Sequence, residues 1–370
     1  MRSRVWVGSV AVLLATGVAA CDSSSGNETG AGAGPVVTST ASSSPSAAPD
    51  LDAAEELARG IDVPWGLAFL PDGDALIAER DTGRILRLTP GGGAPQQVAE
   101  VPGVAAAGEG GLLGLAVSPN FATDDLVYAY LTAADDNRIV RFRLSGGQPE
   151  VVFSGIAKAR FHNGGRIAFG PDGMLYAGTG DAGNTSSSQD PASPAGKILR
   201  LTPDGDPAPG NPTTGSPVYS LGHRNVQGLA WDADGRLFAT EFGQNDVDEV
   251  NLIEAGRNYG WPEVEGDGDT AGGRYTNPLV TWPVREASPS GIAITGGTAY
   301  VAALRGERLW VIPLDGDRLG EPSAQLTDRY GRLRSVQVAP DGALWVTTSN
   351  TDGRGDLRDG DDRIVRFPAR

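Results

Sequence analysis

A chain of 370 residues with a single cysteine has no disulfide framework and no cysteine-built zinc centre. Histidine occurs only twice, so a histidine-rich metal cluster is excluded as well. Lysine occurs only at Lys158 and Lys197, and the formal net charge is −16. Nucleic acid needs clustered basic surface, so it is excluded as a partner. Outside the N-terminus no apolar period of 3.6 residues is sustained, which argues against a helical bundle. The longest apolar run, 5-VWVGSVAVLLATGVAA-20, is too short to span a bilayer. What is abundant is glycine (53) and proline (26), a composition of many turns and few long helices.

The apolar run follows a basic start, Arg2 and Arg4, and ends in V-A-A-C at Cys21, the pattern of a bacterial lipobox. The expectation is an exported, cell-surface or periplasmic-side lipoprotein that touches the membrane only through a lipid on Cys21. Ordinary secretion with cleavage nearby is the alternative. Residues 22–50 are rich in Ser, Gly, Ala, Thr and Pro and bury too little apolar surface to offset their ordering entropy, so they read as a tether. The folded domain is expected at 51–370, with a short helix possible around 51–58.

Within that domain one pattern recurs: a small-residue start, an alternating apolar strand, a turn usually written Pro-Asp-Gly, a second strand, and often a third of the form Gly-Arg-Ile-x-Arg-Leu. Copies occupy 64–88, 111–144, 165–183 with 196–201 as a distant third strand, 227–253, 290–314 and 335–367. Short antiparallel strands recurring every roughly 45–65 residues fit propeller blades, which stack around an axis because no single small sheet buries both faces. The fold expected is all-β, a six-bladed β-propeller. Three insertions, 181–195, 202–222 and 254–289, suggest one elaborated face.

Polar residues collect at equivalent edges of the copies: Glu109 in GEGG, His162 and Arg166 in HNGGR, Asp181 in GTGDAG, His223, Arg224 and Asn225 in GHRN, Arg305 in LRG, and Arg332 and Arg334 in GRLR. If the ring closes, these gather at one channel mouth. An imidazole near an aspartate and several arginines is a general-base arrangement beside a polyanion site. GTGDAG also matches the dinucleotide pattern GxGxxG, but no helix follows it, so no helix N-terminus meets a pyrophosphate. The segment 241–266 is rich in carboxylates, amides and glycine. Asp248 and Glu249, with the Tyr259 carbonyl, suit Ca²⁺, and an acidic surface loop explains the same residues.

The run HNGGR, PDG, GTGD, GKILRL, GHRN-QG and NYGWP resembles the soluble quinoprotein sugar dehydrogenases, the aldose sugar dehydrogenase or glucose/sorbosone dehydrogenase family, over about residues 57–367. The resemblance implies a six-bladed propeller and calcium-assisted oxidation of an aldose sugar at C1 to a lactone. The cofactor implied is pyrroloquinoline quinone (PQQ), a tricarboxylic ortho-quinone, with electrons passed to an external acceptor. His162 matches the base that takes the anomeric hydroxyl proton, and Asp181 its orienting carboxylate. Arg224 and Asn225 match residues at the quinone oxygens, and Arg332 and Arg334 match cofactor-binding arginines. Gly243 and Gln244 match the pair whose carbonyls hold a catalytic Ca²⁺; Asp248, Glu249 and Tyr259 match a second, structural Ca²⁺ site. Glu109 stands where the glucose branch has a glutamine contacting substrate or cofactor, and Arg305 where it has a lysine contacting PQQ.

Two other readings compete. One is a non-catalytic propeller that serves as an exported binding module. The other is a Ca²⁺-dependent lactonase-type hydrolase, which would place acidic metal ligands on the axis, where this chain offers mainly arginine and histidine.

Overall fold

The computed structural model describes residues 48–370. The leader, Cys21 and most of the expected tether lie outside the described residues. Among the described residues no helix is long and apolar enough to cross a membrane.

Six antiparallel sheets form six blades. Their first strands are Pro64–Phe69, Leu112–Val117, Ile167–Phe169, Val226–Trp231, Pro289–Thr295 and Leu333–Val338, and each contacts the first strand of the next blade, the last returning to the first. These six therefore line the axis, and every later strand of a blade lies farther out. The repeated Gly-Leu-Ala motif explains how they come so close. A Cβ on Gly66 would sit 2.5 Å from the Leu113 carbonyl oxygen, and one on Gly114 would sit 2.3 Å from that of Gly165. Only a residue without a side chain lets one inner strand touch the next there. In five blades the inner hairpin also shifts register beside this position, for example between Pro64 and Leu67 and between Leu112 and Leu115. Bulges of this kind bend a strand at the end of a sheet.

The core is not one cluster but six, each lying mainly between two neighbouring blades. Leu76, Ile85, Val127 and Val140 fill the first gap, and Leu333, Val346, Tyr300 and Leu309 fill another. The ring closes where the N-terminal strand Glu55–Arg59 pairs antiparallel with Arg363–Phe367 as the outermost strand of the sixth blade. Leu57 and Ala58 pack there with Ile77, Leu88 and Trp345. The helix expected around 51–58 is thus a turn followed by a strand. So short a segment cannot hold a helix alone, whereas the waiting edge supplies backbone partners and the ion pair of Arg366 with Glu55 at 2.6 Å. Among the described residues helix is confined to two four-residue turns, Phe121–Asp124 and Ser186–Gln189.

Strand direction decides where the insertions go. The loop 181–195 joins second and third strands and lies at the end where first strands begin. The loop before Val218–Leu221 joins third and fourth strands and lies at the opposite end, so the insertions do not share one face. The segment 254–279 also leaves from that far end, but climbs the outside of the third blade. Its Tyr259 N–H donates to the Leu221 carbonyl at 2.9 Å and its Trp261 N–H to that of Gly222 at 2.9 Å, which brings it back to the His162 end.

Candidate active site

His162 opens the approach to the third blade in the left-handed region, φ +56°. That conformation is unfavourable for a residue with a Cβ and persists only where its surroundings enforce it. Glu109 from the second blade accepts the His162 backbone N–H at 2.9 Å. From the other side the His162 carbonyl lies over Gly180, where a Cβ would stand 1.9 Å from that oxygen. Asn225 accepts the Gly164 N–H at 3.0 Å. The Asn-Gly-Gly turn is therefore gripped from two other blades.

The imidazole Nδ1 lies 2.8 Å from Asp181 Oδ1. Asp181 is fully buried, while the His162 side chain keeps 15% of its surface exposed. Asp181 Oδ1 also accepts the Gly183 N–H at 2.7 Å, and its Oδ2 accepts the Trp261 indole N–H at 2.9 Å. Burial pushes the Asp181 carboxyl up, but the hydrogen bonds from His162, Gly183 and Trp261 together hold it below the usual carboxylate range. Its folded value is therefore lower than its unfolded one. The stabilisation is complete above the unfolded value and disappears as pH falls through the folded one. Asp181→Asn should accordingly lower stability by about 1–3 kcal/mol at neutral pH. The gap to wild type should close in acid, as thermal melts across pH would show.

Next to this pair is a cavity of about 360 Å³ lined by Glu109, Arg80, Arg305, Arg332, Arg334 and Arg354, with Gln227, Phe242 and Asp352. Asp352 holds Arg332 at 2.9 Å and Arg334 at 3.3 Å. Burial pulls the Arg334 guanidinium down to about 10, against the opposing charge of Asp352. Arg354 reaches across to Glu109 at 2.8 Å. Arg224 and Asn225 adjoin the cavity: Arg224 Nη1 donates to the Phe242 carbonyl at 3.0 Å. Two of their donors, Arg224 Nε and Asn225 Nδ2, are buried without a partner. Buried donors are nearly always satisfied, so such a pair beside an arginine-lined cavity fits an acceptor-rich anionic ligand.

Two members of the sequence constellation are not at the cavity. Arg166 is buried on the axis, donating to the Gln227 carbonyl at 2.8 Å and to Ser335 Oγ at 3.0 Å, 4.3 Å above the Trp65 ring. His223 is buried between Ser220 and Glu241 and stacks on Tyr259. Both are internal supports. Conversely, sequence reading missed Arg80, Asp352, Arg354 and Trp261. Their one signal is position, beside strand ends and within insertions.

The residues read for calcium occupy the fourth blade. A small cavity of about 10 Å³ is lined by Glu241, Gly243, Glu249, Tyr259 and Glu265 among others. Burial and the nearby charge of Glu241 push the Glu249 carboxyl up to about 8. Burial raises Asp248 to about 6 although its oxygens accept the Gly243 N–H at 2.9 Å and the Ser288 N–H at 2.6 Å. Gln244 N–H donates to Glu265 at 2.6 Å. Among the described residues no three carboxylate, imidazole or thiol groups are arranged to hold a metal by themselves. An ion here would need the backbone carbonyls too, and this all-oxygen donor set suits a hard cation.

A six-bladed propeller with an imidazole–carboxylate pair beside a cationic cavity defines a class of ligand-binding propeller enzyme. The comparisons narrow it. The profile of the glucose/sorbosone dehydrogenase family matches residues 61–359, and the chain belongs to that family of oxidoreductases. The aldose sugar dehydrogenase of Escherichia coli strain K12 is 31% identical, with 83% of this chain and 92% of that protein covered. Quinoprotein glucose dehydrogenase B of Acinetobacter calcoaceticus is 31% identical over 63% of this chain and 58% of its own. The solved PQQ-bound aldose sugar dehydrogenase of Streptomyces coelicolor superposes with a TM-score of 0.82 at 55% identity, covering 87% of this chain and 99% of the other.

Proposed function

We propose that the protein is a PQQ- and calcium-dependent aldose sugar dehydrogenase that oxidises sugars at C1 to lactones and passes the electrons to an external acceptor. The carrying observation is the His162–Asp181 pair set beside an arginine-lined cavity with two unpartnered buried donors. Arg332, Arg334 and Arg305 would neutralise the carboxylates of PQQ, Arg224 and Asn225 would donate to its quinone oxygens, and Glu109 faces the same space. PQQ, when bound, supplies the two-electron acceptor. His162 takes the proton of the sugar's anomeric hydroxyl at its Nε2. Asp181, ionised and hydrogen-bonded to Nδ1, fixes the tautomer that leaves Nε2 free and stabilises the imidazolium that forms. Burial of Asp181 keeps water from the carboxylate behind the imidazole, while the partly exposed His162 ring remains open to substrate.

The Gly243 and Gln244 carbonyls would hold one Ca²⁺ near the cofactor, and Asp248, Glu249 and the Tyr259 carbonyl a second, structural one. Ca²⁺ should raise the melting temperature of the wild-type protein, by mass action on the folded state, and Glu249→Gln should abolish most of that rise. We place the leader and the Cys21 lipid anchor in the same scheme: residues 22–50 tether the catalytic domain 51–370 to the membrane on the exported side.

The direct test is a PQQ titration with Ca²⁺, followed by dye reduction on a panel of aldoses. Saturable binding and sugar-dependent turnover are expected. Binding without turnover would favour the binding-module reading, and lactone hydrolysis without dye reduction the hydrolase.

A further inference from the structure

Asp181 has two carboxylate oxygens, and only one faces His162. The other, Oδ2, has a single hydrogen-bond partner, the Trp261 indole N–H at 2.9 Å. Trp261 comes from a different blade. The segment that carries it climbs the third blade and is pinned at the top by backbone bonds to Leu221 and Gly222. It is pinned again by Gln189, whose Nε2 donates to the Trp261 carbonyl at 2.7 Å and to Asn258 at 3.0 Å while its Oε1 accepts from Asn258 Nδ2 at 2.8 Å. Trp261 is 8% exposed, and its ring lies 5.4 Å from the Arg224 guanidinium carbon. One buried side chain thus meets both the carboxylate behind the imidazole and an arginine beside the cavity.

We propose that Trp261 is a positioning residue: its indole N–H holds Asp181 in the orientation that keeps Nδ1 of His162 engaged. This rests on the reading of His162 as the base. A carboxylate hydrogen-bonded at one oxygen only can pivot, and the tautomer and ring plane of its histidine follow it. The second anchor removes that freedom. It also shares the carboxylate charge with a donor at the second oxygen, beside the His162 and Gly183 donors at the first. The groups that surround His162 are Asp181 at Nδ1, Glu109 at its backbone N–H with Arg354 behind it, and Arg224, whose carbonyl accepts the Asp181 N–H.

With only two histidines, selective ¹⁵N labelling reads the His162 ring directly, and His162→Ala assigns it. Trp261→Phe keeps an aromatic ring against Arg224 and deletes the N–H. The Asp181 charge is then less shared, so the imidazolium is favoured. His162 should titrate at higher pH, and its Nδ1–H resonance should move or broaden. The acid limb of kcat/KM should move the same way, with a roughly ten-fold fall at neutral pH, the scale of a lost outer hydrogen-bond partner. A His162 titration and Nδ1–H resonance that match wild type would overturn the proposal whatever the activity does. Should Trp261→Phe fold poorly, Asp181→Asn provides the second arm. There the Trp261 indole N–H resonance should shift upfield, and an unmoved resonance would overturn the proposal. The NMR arms need neither cofactor nor turnover, so loss of the base reading shows separately, as His162→Ala with wild-type activity.

Discussion

His162→Ala is expected to lower sugar-dependent dye reduction by roughly a hundred- to ten-thousand-fold, the range that a positioned general base contributes. Binding of PQQ should change little, because the imidazole is not among the residues that line the cavity and hydrogen-bonds only to Asp181. Stability should fall by about 1–3 kcal/mol, because the variant deletes one of the hydrogen bonds that the fully buried Asp181 carboxylate accepts. That combination, with kcat lost in a protein that still folds and still binds the cofactor, separates a base from a structural histidine. The second histidine supplies the contrast. His223→Ala removes a fully buried ring from between Ser220, Glu241 and Tyr259 and should melt early. If His162→Ala keeps activity within a few-fold of wild type, the base lies elsewhere.

Lys197→Met is expected to have the largest effect on stability. Lys197 is fully buried, and its three ammonium hydrogens are matched by the carbonyls of Ser187 at 2.6 Å, Ser188 at 3.1 Å and Ala195 at 2.8 Å. Methionine fills the space but removes all three ammonium hydrogen bonds: the Ala195 carbonyl is left without a partner, while those of Ser187 and Ser188 keep only the Asp190 and Gly222 N–H groups. A hydrogen bond to a charged group contributes about 1.5–3 kcal/mol, so losing three, partly offset because no ammonium is then buried, costs about 3–5 kcal/mol. For a domain of this size that is a fall in melting temperature of roughly 6–15 °C, readable by calorimetry. Activity should fall as well, since the loop those carbonyls belong to carries Asp181. The pH dependence has a definite sign. Burial pulls Lys197 from 10.5 down to about 8, partly opposed by Asp190, so the carbonyls retain its charge at neutral pH. The unfolded chain binds the extra proton between about 8 and the ordinary lysine value. Wild-type stability from this site therefore rises with pH across that window, and Lys197→Met should remove the rise. A flat difference between the two proteins would show that the ammonium is not the group under strain.

Much of the site was legible because its residues sit at repeat edges. His162, Arg224, Arg305 and Arg332 each lie beside a small-residue turn at the start or end of an alternating strand, and closing the ring carries all four to one end. Arg166 and His223 share that sequence context and yet are internal supports. One residue along a strand reverses the direction of a side chain, and pattern alone does not resolve that step. The outermost strands, such as Gln96–Glu100 and Ser323–Gln325, escaped notice because they are mostly exposed and carry no apolar alternation. The closing strand Glu55–Arg59 reads locally as helix-compatible, and its true state depends on an edge more than 300 residues away.

The sequence by itself determined the number of blades, their order and the chemistry of the cavity, because strand period, turn residues and side-chain type are local properties. It also narrowed what the protein can be, through its scarcity of cysteine, histidine and lysine. Only the tertiary structure decided which polar residues converge. Trp261 reaches Asp181 across 80 positions, Arg354 reaches Glu109 across 245, and Ser335 bonds both Arg166 and the Trp65 carbonyl. Those meetings depend on how far each blade is rotated about the axis and how an irregular loop climbs its neighbour. Both are set by packing between blades, which leaves no periodic trace in the chain.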